Sequence, residues 1–135
     1  MDSNTDLVLN RADNELFLAR AVYLLSENSK VKKEIFSLPE EITFYSAVIS
    51  HAYYSIFYSA KAYVMSKNST IPEQGQHNAI YQKFKKFVKE GDIEKELLII
   101  YEDLRVNHPT ASFCLRANPP TGGLEYPTTT KNRQV

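Results

Sequence analysis

Apolar and small residues recur at Leu9, Ala12, Leu16, Ala19 and Tyr23, in alternating steps of three and four. That spacing puts them on one face of an α-helix. Leu18, Val22 and Leu25 widen the stripe, which predicts a helix buried on more than one side, with Ser3 and Asp6 placed to cap its start. The pattern lapses over Asn28-Ser29-Lys30-Val31-Lys32-Lys33, which reads as a charged, solvated connection.

Ser37-Leu38-Pro39-Glu40 has the form of a helix start. Serine can cap the free amides, proline is tolerated in the first turn, and glutamate three residues on completes a capping box. A second helix is therefore expected from about Pro39 to about Lys67. Between Phe44 and Val64 it interleaves large aromatics with Ala47, Ser50, Ser55, Ser59, Ala60 and Ala62. Small positions let neighbouring helices approach while aromatics fill the gaps, so this is the expected core helix. After a break ending at Gly75, Ala79, Ile80, Phe84, Phe87 and Val88 predict a third helix from Gln76 to Lys89, closed by Gly91. Asp92 can cap a fourth, from about Ile93 to Asn107, with Leu97, Ile100, Tyr101 and Leu104 on one face. Pro109 disfavours helical geometry at His108 and should end it there. The expected fold is all-α, an up-and-down bundle of four helices over residues 1–108.

Composition adds a boundary. Of 135 residues, the first 108 hold two Gly and two Pro, whereas 109–135 hold the other two Gly and four Pro. The overall charge is zero, but it splits into about −2 before residue 109 and +2 after it. Bulk basicity therefore does not mark a nucleic-acid binder, and any such contact must be local. The single cysteine, Cys114, excludes an internal disulfide and a multi-cysteine zinc site. No apolar run reaches transmembrane length and Met1-Asp2-Ser3-Asn4 lacks a basic leader, so a cytoplasmic location and no membrane association are expected. Residues 109–135 carry no helical period and read as an irregular, disordered tail.

Four collinear pieces carry a resemblance: Arg11-Ala12 with Ala19-Arg20; the string Ser50-His51-Ala52-Tyr53-Tyr54-Ser55-Ile56-Phe57-Tyr58-Ser59-Ala60-Lys61-Ala62; His77 ahead of Phe84 and Phe87-Val88-Lys89-Glu90-Gly91; and Leu104-Arg105. Over residues 7–107 the chain resembles the small prokaryotic HEPN-domain proteins (higher eukaryotes and prokaryotes nucleotide-binding). The resemblance implies a homodimeric helical bundle that binds nucleotide or RNA. It also implies pairing with a small nucleotidyltransferase in a toxin–antitoxin-like system. Some family members are metal-independent ribonucleases that use an Arg and a His four to six residues further on. Here Arg105 is followed by His108, with two residues between them. The family's closing helix has no counterpart in 109–135, which leaves Leu97, Ile100 and Leu104 without its cover. The tail is then either an authentic extension or the product of a truncation or frame change, and the second is the preferred expectation.

Two site readings stand side by side. If the helix reaches His108, Arg105 and His108 share a face; Arg could clamp a scissile phosphate and His could act as acid or base. The plainer reading is a helix-end cation and an exposed cap. His51, Tyr54, Tyr58 and Lys61 form one stripe at i, i+3, i+7 and i+10, suited to stacking a base and holding a phosphate, or simply to packing. His77 can line the same cleft or cap its helix. Lys83, Lys85, Lys86 and Lys89 read as a solvated face. Three scattered histidines give no metal site, and no cofactor is expected.

Overall fold

The computed structural model describes residues 2–108, so the tail over 109–135, including Cys114, lies outside the described residues. Five helices follow in order: α1 (Ser3–Glu27), α2 (Ser29–Glu34), α3 (Tyr45–Ser66), α4 (Gln76–Lys89) and α5 (Lys95–Asn107). No strand occurs among the described residues. The all-α bundle is as expected, with one short helix more.

That extra helix, α2, lies in the segment expected to be a loop. Asn28 ends α1 and starts α2, its Oδ1 accepting the Val31 N–H at 3.0 Å. Lys32, expected in solvent, is 2% exposed. Its ammonium donates to the carbonyls of Ser26 at 3.0 Å, Glu40 at 2.5 Å and Ile42 at 2.7 Å. This displaces the expected start of the central helix. A helix from Pro39 needs the Glu40 carbonyl to accept from Phe44 N–H. Lys32 takes that carbonyl, and the Ser26 hydroxyl accepts the Phe44 N–H at 2.8 Å. Ser37 sits at φ 55, outside helical space, and α3 begins only at Tyr45.

α1 lies antiparallel along α3, with Ser26 against Phe44 and Ala12 against Ser55, whose hydroxyl donates to the Ala12 carbonyl at 2.9 Å. The buried residues of α1 are Thr5, Ala12, Ala19 and Ser26, one every seventh position. A seam of that period is the geometry of a supercoiled helix pair, and small side chains bring the backbones close. The buried face is narrower than expected: Leu16 and Tyr23 are exposed, along with Phe17 and Leu24. The start of α1 is capped by Asp2 rather than Ser3, its carboxylate accepting the Thr5 N–H at 2.8 Å.

The opposite face of α3 makes the core. Tyr53, Phe57, Ala60 and Val64 pack on Ile80, Tyr81 and Phe84 of α4 and Tyr101 of α5. Tyr101 meets Tyr81 and Phe84 edge-on at 5.2 and 5.3 Å, the favourable arrangement for aromatic quadrupoles. α4 spans the predicted residues and ends in a Schellman motif. Gly91, at φ 89, donates to the Val88 carbonyl and Asp92 to that of Phe87, both at 3.0 Å. α5 begins at Lys95 with Glu94, not Asp92, at its cap. It ends at Asn107, with His108 extended (φ −80, ψ 120) ahead of the proline. α1 touches neither α4 nor α5, so the two sides of α3 are separate walls. No helix among the described residues is long and apolar enough to cross a membrane.

Candidate functional site

The strip of α3 between its core face and its α1 face carries His51, Tyr54, Tyr58 and Lys61, all partly exposed. It forms the floor of a groove. One wall is α1, which contributes Arg11 and Glu15; the other is α4 and the end of α5, which contribute Gln76, His77, Arg105 and His108. Of the seven sequence-predicted residues, Tyr54 meets Tyr58, His77 and His108, and Lys61 reaches Gln76, whereas His51 pairs with Glu15 and Arg105 with Asn78 and Tyr81.

The floor and the α4–α5 wall are joined by rings. His77 stacks on Phe57 at 4.0 Å between centroids and its Nδ1 lies 2.8 Å from the Tyr53 hydroxyl. His108 stacks on Tyr53 at 4.2 Å and meets Tyr54 edge-on at 5.1 Å. Its ring gets there without the helical face expected for it, because the extended backbone folds it back over α3. Tyr54 in turn lies 6.3 Å from Tyr58. Lys61 donates to Gln76 Oε1 at 3.0 Å. Arg105 donates to Asn78 Oδ1 at 3.0 Å and rests over the Tyr81 ring at 4.2 Å. The Tyr81 hydroxyl is held by Glu102 at 2.6 Å.

Burial sets the protonation states. It pushes His108 down to about 4, with His77 adding to the effect. His77 is lowered by burial and then by the positive charges of Arg105 and Lys61. Burial also pushes the Tyr53 hydroxyl up to about 12, which keeps it a neutral donor. At neutral pH the wall therefore offers two uncharged imidazoles beside a permanent guanidinium. His108 Nδ1 is buried and has no hydrogen-bond partner among the described residues. In an uncharged imidazole one nitrogen donates and the other accepts, so the buried Nδ1 has one hydrogen-bonding role unmet.

The α1 wall adds two residues, Arg11 and Glu15, that helical spacing on α3 does not reveal. Glu15 bridges two bases: Oε1 lies 2.7 Å from His51 Nδ1, and Oε2 lies 3.3 Å from Arg11 Nε. The Arg11 guanidinium also sits 4.6 Å from the centre of the Tyr58 ring. The i, i+4 spacing of Arg11 and Glu15 was the available signal. The Glu15–His51 contact depends on how α1 slides against α3, which no local pattern states. No group of three metal-ligating side chains occurs among the described residues. Compared with known proteins, the chain matches no family model, no curated protein and no solved structure, so the chemistry of the groove is read from its own residues.

Proposed function

We propose that the chain is a HEPN-like binding protein that takes single-stranded RNA or a nucleotide in the α3 groove. It acts as a homodimer and as the regulatory partner of a small nucleotidyltransferase in a toxin–antitoxin-like pair. The observation that carries the binding reading is the composition of the groove. Tyrosine rings line its floor, and Arg11, Lys61 and Arg105 stand along it. Tyrosines stack bases whatever their sequence, and cations track the phosphates. Exposed Phe17 and Leu24 on α1 and Ile99 and Ile100 on α5 support self-association. A nucleotidyltransferase gene beside this one would support the partner.

Binding of a fluorescently labelled single-stranded RNA, followed by anisotropy at two salt concentrations, tests the reading. Arg105→Ala and Tyr58→Ala should each weaken binding about tenfold, and salt should weaken it steeply. Unchanged affinity in both variants would remove the groove from the account. A ribonuclease reading is favoured by the unpartnered Nδ1 of His108, on a ring that burial keeps uncharged at neutral pH. Cleavage in the presence of a chelator, lost in both Arg105→Ala and His108→Ala, would replace binding with catalysis.

A further inference from the structure

His51 lies on the groove floor, apart from the His77–His108 wall, and the RNA reading gives it no role that uses its partner. A carboxylate only accepts hydrogen bonds, so the 2.7 Å contact with Glu15 fixes the hydrogen on Nδ1 and leaves the lone pair on Nε2 of the neutral ring. Nε2 has no partner among the described residues and is not among the buried unpartnered atoms. The side chain is 28% exposed and that of Glu15 only 12%. A part-buried carboxylate thus orients the imidazole and leaves its other nitrogen unpartnered, the arrangement that makes histidine a nucleophile or base.

We propose that His51 Nε2 is a phosphoryl acceptor, modified by donors with a phosphorus–nitrogen bond. In the reaction with phosphoramidate, Nε2 supplies the electron pair for a new N–P bond. The donor's own P–N bond breaks and its pair leaves with ammonia. The ring keeps its Nδ1 hydrogen and gains a positive charge, which Glu15 neutralises across the existing hydrogen bond. Arg11, held on the other Glu15 oxygen, is 55% exposed.

The same step is opposed at the other two histidines. Arg105 and Lys61 lie close enough to His77 to depress its protonation, so they also resist a positive ring there. His108 is pushed down to about 4 by burial. Neither has a carboxylate among its hydrogen-bond partners in the described residues.

The test is incubation of the folded, full-length chain with phosphoramidate, and site mapping by mass spectrometry under conditions that preserve phosphohistidine. His51 should be labelled at least tenfold faster than His77 or His108. In denaturant the three should react at similar rates. His51→Gln, which keeps a donor for Glu15, should lose the fast label. Glu15→Gln should slow it about tenfold. Equal labelling of the three histidines in the folded chain, preference for His77 or His108, or no folded-state label would each overturn the proposal. The reaction contains no RNA, and anisotropy on the same preparation reads the binding proposal separately.

Discussion

Replacing Lys32 with methionine tests the connection between α1 and α3 most directly. Methionine matches the length and the apolar stem but removes the ammonium. Three carbonyls then lose a charged donor, and hydrogen bonds to charged groups contribute about 1.5–3 kcal/mol each. Simple addition would give about 4.5–9 kcal/mol, which overstates the loss. The unfolded chain no longer has an ammonium to desolvate, a cost of several kcal/mol in the wild type. The Glu40 and Ile42 bonds are only partly buried, so water can reach their carbonyls after a small movement. A net loss of about 3 kcal/mol remains, in line with removing one partner from a buried charged network. For a domain of this size that corresponds to a fall in melting temperature of roughly 12–24 °C. Urea unfolding followed by circular dichroism at 222 nm and by tyrosine fluorescence measures it, provided the two probes coincide. A loss below about 1 kcal/mol would refute the reasoning, because it would mean that the three carbonyls find equivalent partners without Lys32.

Three further outcomes follow from the fold and the site. Ala12→Leu forces a branched side chain into the seam where the Ser55 hydroxyl meets the Ala12 carbonyl, and should cost about 1–3 kcal/mol in the same urea assay. Stability equal to wild type would show that α1 does not approach α3 that closely. Gly91→Ala places a Cβ at φ 89 and should cost about 1–2 kcal/mol, with Gly91→Asn losing less; the strain account fails if alanine is tolerated as well as asparagine. His108 binds a proton less readily folded than unfolded, so between pH 6.5 and about 4 the unfolded chain holds more protons. Stability is present in full above pH 6.5 and falls as the pH drops through that window. The decline should be shallower in His108→Asn, and an identical slope would assign it to other groups.

Local rules sufficed where a helix end is decided by its own backbone. Gly91 must turn through positive φ and Pro109 restricts His108, so the ends of α4 and α5 were legible from neighbouring residues. The start of α3 was not. Ser37 through Glu40 have the sequence of a capping box, but the Glu40 and Ile42 carbonyls and the Phe44 N–H that would continue the helix are claimed by Lys32 and Ser26 from other elements. Sequence periodicity cannot anticipate such theft, because the competing groups meet only after α1 and α3 dock. The same division runs through the site. The stripe of His51, Tyr54, Tyr58 and Lys61 follows from helical spacing alone, and so was visible. Glu15 pairs with His51 only in one register of two helices, and so was not. Leu16 and Tyr23 mislead in the opposite sense, since their spacing fits burial but α1 meets neither α4 nor α5.

The seven-residue seam has a mechanical consequence. Thr5, Ala12, Ala19 and Ser26 offer methyls and hydroxyls to a close helix pair, whereas α3, α4 and α5 share a block of interlocked aromatic rings. The two sides of the groove are therefore held by different chemistry, and the aromatic block is expected to set the limit of global unfolding while α1, held on a small-residue seam, opens earlier. Amide exchange should divide the chain along that line. Any ligand that bridges Arg11 and Arg105 would then act as a fastener, slowing exchange in α1 far more than in the helices behind it.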